Sequence, residues 1–266
     1  MSALDDAARR SRETFDAAAD HYDHPALGFE ARTVERIGLR SGDRVLDVPC
    51  GSGASALPSA RAVGDTGRVV AVDLAPGLLE LARAKAQREG LANVETRDAD
   101  MRALGYADGS SDAIVCVFGV FFAPDPVGLV WEFWRLVATG GALAITTWGP
   151  RVLEPGAAAF WDAAACERPD LVRGFNPWDD LVSVEHPLEL YLRAGISGAA
   201  AQLERGRQPL ASPEDFWAIA LGMGFRVTIE MLDPPARRRV HDSVVSALEG
   251  VDAVQASAVY GLARKP

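Results

Sequence analysis

VLDVPCGSG, residues Val45 to Gly53, is the stretch on which the reading of this chain turns. Three of the four residues in VLDV are apolar, which suits a parallel strand buried on both faces. A turn with two glycines, Gly51 and Gly53, follows, and then the Ala-rich segment from Ala54 to Val63. The order is strand, bare-backbone turn, helix start. A missing Cβ lets a ligand touch the main chain, and the helix N-terminus offers free N–H groups to a polar or anionic group. Such a turn suits a nucleotide-like cofactor. The plainer alternative is a tight βα turn with no ligand.

The next segment sharpens this. Arg68 to Asp73 reads RVVAVD, a second buried strand that ends in an acid 26 residues after Asp47. An acid at that offset, at the end of the second strand, can accept hydrogen bonds from both ribose hydroxyls. Pro76 then fits the first turn of a helix and Gly90 its end. A dinucleotide site wants G-x-G-x-x-G, whose glycines let the backbone approach a pyrophosphate. Here the turn is Pro49-Cys50-Gly51-Ser52-Gly53, with no third glycine at the expected spacing and with Asp47 two positions ahead of Pro49. Asp47 would repel a pyrophosphate and suit a ligand carrying an ammonium group. S-adenosylmethionine has a sulfonium, an α-amino group and no phosphate, so the charge pattern favours it over a nicotinamide dinucleotide.

With these residues the chain resembles the class I S-adenosylmethionine-dependent methyltransferases, most of all the small-molecule branch that includes ubiquinone and menaquinone methyltransferases. The resembling stretches are FDAAADHYDHPALGFE, VLDVPCGSG, VVAVDLAPGLLELARAK, DMRALGYADGSSDAIVCVFGVFFAPDP and GGALAITTW, spanning roughly residues 15 to 148, with EHPLELYLRAGI and AVQASAVYGLARKP matching in position. The resemblance implies S-adenosyl-L-methionine as cofactor. It implies that Gly51, Ser52 and Gly53 pack against the methionine part and that Asp47 orients the ammonium group. Asp73 would take the ribose hydroxyls, with Leu74 in the same cofactor-binding set. Asp100 would accept from the adenine amino group, Met101 would lie beside the base, and Phe118 would line the methyl-donor pocket. The family's counterpart of Tyr22 commonly covers the cofactor. One departure stands out: the family's first glycine is Pro49 here, which removes an N–H and fixes φ.

Composition bounds the rest. The chain has 266 residues with 48% hydrophobic content, enough for one full domain with additions. No run of about 18 apolar residues predicts a membrane span. The N-terminus, MSALDDAARRSRETFDAAAD, has no apolar signal core. Cys50, Cys116 and Cys166 are odd in number and far apart, so neither a disulfide framework nor a metal site is expected, and a cytoplasmic location fits. A net charge of −10 argues against a nucleic-acid partner, which calls for a basic face. FGVFFAPDP also lacks the Asn/Asp-Pro-Pro-aromatic signature of enzymes that methylate nucleic-acid amino groups. A small-molecule substrate is favoured, and a homodimer is left open.

Along the chain, helices are expected over 5–23 and about 26–39. Strands and helices then alternate: 44–48, 54–63, 68–73, 76–89, 93–98, 112–118, 126–138 and 141–148. That alternation predicts an α/β, Rossmann-like doubly wound, mainly parallel seven-stranded sheet. The expected organisation is an N-terminal helical lid over 1–40, a cofactor-binding core over 41–150 and a cap insertion over 151–184. Residues 185–266 complete the sheet with an antiparallel last strand near 253–262 and carry a helical insertion at about 206–252.

Methyl transfer is an in-line displacement at carbon, so the protein chiefly supplies orientation and a dry pocket. A base is needed only if the acceptor must lose a proton. Histidine titrates near neutrality, and His21, beside Tyr22, is the best placed of His21, His24 and His186. Trp148, at the end of the fifth strand, would face the crevice where open α/β sheets bind ligands. Phe122, Trp148 and Trp178 are the candidate acceptor-pocket residues, and together with the other aromatic side chains they favour an apolar or aromatic acceptor. Two alternatives remain at this level. One is a protein that binds S-adenosylmethionine but catalyses another reaction or serves as a partner subunit. The other is a nicotinamide oxidoreductase.

Overall fold

Helices and strands alternate where the apolar runs and their turns place them. The computed structural model describes residues 6–22, 28–172 and 181–266; inside the first helix, nothing is described of the side chains at 7, 18 and 20–22. Helices α1 (Asp6–Tyr22) and α2 (Phe29–Ile37) precede β1 (Arg44–Asp47), α3 (Ala56–Val63), β2 (Arg68–Asp73), α4 (Pro76–Arg88) and β3 (Val94–Asp98). Then come β4 (Ser111–Val117), α5 (Pro126–Leu136) and β5 (Val137–Trp148). The second half carries α6 (Gly156–Glu167), α7 (Glu185–Arg193), β6 (Ala200–Pro209), α8 (Pro213–Leu221), α9 (Phe225–Met231), α10 (Pro234–Ala247) and β7 (Ala253–Arg264). Proline sits in the first turn of α4, α5, α8 and α10, where its missing N–H costs no intrahelical bond. Among the described residues no helix is long and apolar enough to cross a membrane.

The strand order is β3-β2-β1-β4-β5-β7-β6. The first five strands are parallel, and β7 runs antiparallel between β5 and β6. This is the expected Rossmann-like sheet. Its order reverses between β1 and β4, and ligands of such sheets bind at that switch, beyond the strands' carboxyl ends. One face of the sheet packs Leu129, Phe133 and Leu136 of α5 and Leu190 and Tyr191 of α7. The other packs Ile37 of α2, Leu57, Ala60 and Val63 of α3 and Leu79 of α4. Tyr191 is fully buried, and its hydroxyl donates toward the carbonyl oxygens of Leu143 and Gly261, each at 3.1 Å, which ties α7 across β5 and β7.

Three features differ from expectation. β5 begins at Val137 rather than 141, because a register shift between Ser111 and Ala113 of β4 absorbs the turn-like Ala138–Gly141 into the ladder. The helical segment 1–40 divides in two. Phe29 and Ile37 of α2 are each 1% exposed, and the Thr33 hydroxyl hydrogen-bonds that of Thr146 on β5 at 2.8 Å, so α2 packs as part of the sheet's own core. Finally, the two additions after β5 form one body. Phe160 and Ala164 of α6 share a core with Phe216 and Ile219 of α8, Phe225 and Ile229 of α9, and Val240 and Val244 of α10.

Candidate functional site

At the carboxyl ends of β1, β2 and β4 lies a cavity of about 610 Å³, counting the space open to solvent. Gly51, Asp73, Leu74, Met101, Phe118 and Phe122 all line it, so six of the residues singled out from sequence converge on one place. Val48, Pro49, Val72, Ala99 and Val117 complete the sheet side, and Ser11, Arg12 and Phe15 of α1 form the outer wall.

The turn after β1 is held from two sides. Gly51 has φ +52°, a left-handed conformation that favours glycine, and its N–H donates to Asp73 Oδ2 at 2.8 Å. The other Asp73 oxygen accepts from the N–H of Ala75 at 3.0 Å. Asp73 thus fixes both the turn and the entry to α4, and burial holds its carboxyl above the usual range despite those donors. Ser52 and Gly53 lie outside the cavity lining, and Lys85 Nζ of α4 lies 3.0 Å from both the carbonyl and the hydroxyl oxygen of Ser52. A Cβ on Gly53 would come within 2.7 Å of Leu57 Cδ1 and 3.1 Å of Ala82 Cβ. Pro49 packs its ring where a side chain on Gly119 would collide, so proline at 49 and glycine at 119 go together.

Asp47 lies beneath the turn, 0% exposed, with the Ser55 hydroxyl donating to its carboxylate at 2.8 and 2.9 Å. Burial pushes its pKa up to about 8, the hydroxyl bond opposes this, and the charges of Asp73 and Glu30 add to it. Burial likewise raises Glu30, at the start of α2. Burial, with only a neutral hydroxyl donor and acidic neighbours, thus holds Asp47 toward its neutral form near neutral pH. Cys50 and Cys116 are buried and their thiols are pushed up by burial, Cys116 to about 12, so both pack as inert side chains.

Other expected residues sit differently. Asp100 is engaged by Arg102, whose Nε and Nη2 donate to it at 2.7–3.0 Å, and lies outside the cavity lining between Ala99 and Met101. Trp148 lies behind the wall: its ring stacks on Phe118 with centroids 3.6 Å apart and planes 7° apart, and Phe29 sits edge-on to both. Phe118 itself has φ +51°, a region sparsely used by large side chains and found where a site fixes a ring. His186 stands at the start of α7, 3.4 Å from the Ser183 hydroxyl, outside the cavity lining. Trp178 and His24 fall outside the described residues, as do the side chains of His21 and Tyr22. Arg12 is the wall residue that sequence reasoning missed, because its role depends on a partner 86 residues away.

A methyltransferase-domain family matches residues 45–141, from β1 into β5. An aklanonic acid methyltransferase, DauC, of Streptomyces sp. (strain C5) is 33% identical over 190 residues, covering 64% of this chain and 86% of that protein. A demethylmenaquinone methyltransferase of Lactococcus lactis is 29% identical over 140 residues, which are 50% of this chain and 56% of that protein. Among solved structures, the YcgJ protein of Bacillus subtilis shares the fold with a TM-score of 0.56 at 18% identity, covering 89% of this chain and 97% of that one. The chain belongs to the class I S-adenosylmethionine-dependent methyltransferases, and S-adenosylmethionine is its cofactor. The residues present fit that group: a bare-backbone turn at the cavity and a carboxyl group at the end of β2 in its lining, with Asp47 buried beneath the turn and outside the lining.

Proposed function

We propose that this methyltransferase alkylates an O, N or C atom of a small apolar or aromatic metabolite. The observation that carries this is the aromatic outer wall of the cavity. Phe15 meets Phe122 edge-on with ring centroids 5.3 Å apart, and Phe118, backed by Trp148, closes the inner side. The Streptomyces and Lactococcus relatives are named for aklanonic acid and demethylmenaquinone, acceptors in line with such a wall. The net charge of −10 disfavours a polyanionic acceptor such as nucleic acid.

When bound, the cofactor supplies an activated methyl group on a positively charged sulfur. The acceptor would lie against the wall formed by Phe15, Phe118 and Phe122. The chain's part is to hold the two in line and keep water out, effects worth about 7–11 kcal/mol when orientation is good. We assign Asp47 to the ammonium group, Asp73 to the ribose hydroxyls, and Leu74 and Met101 to the flanks of the adenosine. His21, on α1, is the candidate base where the acceptor must lose a proton. Mass spectrometry with a deuterated-methyl donor, run on phenolic, quinol and aromatic-acid acceptors beside sugars and amino acids, tests the acceptor class. Labelled product is expected from the aromatic set. Label appearing only in the polar set would overturn the reading.

Asp47 gives the reading a pH signature. Its folded pKa lies above the ordinary value, so its favourable contribution to apo stability is complete below about pH 4 and is lost as pH rises through about 8. A cation arriving beside it stabilises the ionised form, so binding near neutrality expels a proton. Cofactor affinity should therefore rise from about pH 6 to about pH 8, by at most about tenfold per unit. Asp73 and Glu30 titrate in the same sense, so the diagnostic result is a flatter profile in Asp47→Asn, read by calorimetry. A profile as steep as the wild type's would remove Asp47 from this role.

Helix α1 is assigned as a lid. Deleting residues 1–23 should cut methyl transfer by about tenfold or more while shifting thermal unfolding little, since closure excludes water and completes the site. Full activity in the truncated protein would end the lid assignment. Failure to fold would make α1 part of the core instead.

A further inference from the structure

Among the described side chains of helix α1, three at helical spacing on one face make specific contacts with the rest of the chain. Phe15 packs edge-on against Phe122. Asp16 accepts from the N–H of Gly77 in the first turn of α4, a helix whose own N-cap is Ala75, with no side-chain oxygen to offer. Arg12 makes the third contact, and its geometry is the most specific. Its Nη1 and Nη2 donate to Oδ1 and Oδ2 of Asp98, both at 2.8 Å, as a parallel two-point fork.

The place of Asp98 gives that fork its meaning. Asp98 ends β3 and is the register partner of Asp73 at the end of β2. Two carboxylates therefore stand side by side at the carboxyl ends of β2 and β3, Asp73 in the cavity lining and Asp98 outside it. Arg12 neutralises the outer one and at the same time forms the cavity wall beside Ser11 and Phe15. The pair is 31% and 45% exposed, so it adds little to global stability. Asp16, one turn along the same helix, adds to the negative field that holds the guanidinium.

We propose that Arg12 is a positioning residue for the cofactor: its fork on Asp98 seats α1 across the adenosine end of the cavity and sets how long the bound cofactor stays. This rests on α1 being the lid of the methyl-transfer site. The guanidinium acts through the helix it anchors. Lysine would keep the charge but lose the two-point geometry.

The test measures dissociation of S-adenosylhomocysteine by stopped-flow, alongside thermal unfolding without ligand. Arg12→Met and Asp98→Asn should each release the probe about fivefold faster, near the upper range for an exposed pair. The double variant should be no faster than either single one, because both remove the same interaction. The exchange variant, Arg12→Asp with Asp98→Arg, should return to within about twofold of wild type. Arg12→Lys should fall between wild type and Arg12→Met, which keeps the idea testable if the methionine variant folds poorly. High salt should speed release from the wild type and leave Arg12→Met unchanged. Release at the wild-type rate from Arg12→Met, or additive effects in the double variant, would overturn the proposal. If deletion of 1–23 speeds release and Arg12→Met does not, the lid stands and the Arg12 assignment falls. If Arg12→Met speeds release while only polar acceptors are methylated, the acceptor reading falls and this one stands.

Discussion

Asp73→Ala is expected to weaken S-adenosylmethionine binding about a hundredfold, near 2.7 kcal/mol. Two losses combine. The first is the pair of charge-assisted hydrogen bonds assigned to the ribose, each worth about 1.5–3 kcal/mol gross before water takes back part of it. The second is internal. Asp73 accepts from the N–H groups of Gly51 and Ala75 at 2.8 and 3.0 Å, and it is 8% exposed, so alanine leaves two donors without their acceptor in a buried place. An orphaned buried donor costs about 1–3 kcal/mol unless water reaches it. Part of that cost appears as a lower unfolding temperature, and part as a turn no longer shaped for the cofactor. Asp73→Asn separates the two. It keeps an acceptor for one of the two N–H groups, sets its NH2 against the other and loses the charge, so it should fold better than Asp73→Ala but below wild type and bind with an intermediate affinity. Calorimetry with S-adenosylhomocysteine checks both variants. Wild-type affinity in Asp73→Ala would remove this residue from the ribose role.

What could be read from sequence here is what short-range chemistry determines. Val45-Leu46 and Val69 to Val72 are apolar runs each followed directly by an acid, Asp47 and Asp73, a pattern that suits successive strands of a buried parallel sheet. Their turn glycines and Pro76 mark the helix starts, so β1, α3, β2 and α4 fall within about two residues of expectation. The cavity set followed because Asp73 ends a strand and Gly51, Met101 and Phe118 stand just past strands' carboxyl ends, where the fold places ligands. What stayed hidden is long-range. Nothing local says that α6 shares a core with α10, or that α2 packs on β5 through Thr33 and Thr146. The short helix α9, FRVTIEM, has only seven residues, three of them β-branched, and weak periodicity, so packing rather than propensity makes it helical. The motif places Asp100 at the cofactor, whereas Arg102 two residues on holds its carboxylate. The Arg12–Asp98 fork joins residues 86 apart and has no sequence signature at all.

Gly51→Val is expected to abolish measurable cofactor binding in a protein that still folds. Gly51 has φ +52° and lines the cavity with main chain alone. Valine is β-branched, and its left-handed backbone costs roughly 1–2 kcal/mol or more. The turn has two ways to respond, and both damage the site. If the peptide keeps its conformation, the side chain occupies the space in which a ligand would meet the backbone. If it relaxes toward negative φ, the Gly51 N–H turns away from Asp73, 2.8 Å distant, and the acid loses the donor that orients it. The fold should survive, because the sheet's two packing faces lie on either side of this turn and do not include Gly51. Unfolding should therefore remain cooperative, a few degrees below wild type, while calorimetry with either S-adenosylmethionine or S-adenosylhomocysteine shows no heat. Gly51→Ala, with one methyl group and a smaller backbone penalty, should retain weak binding. A folded Gly51→Val protein with wild-type affinity would mean that the cofactor does not approach this backbone, and the β1 turn would then serve only to pack α3 and α4.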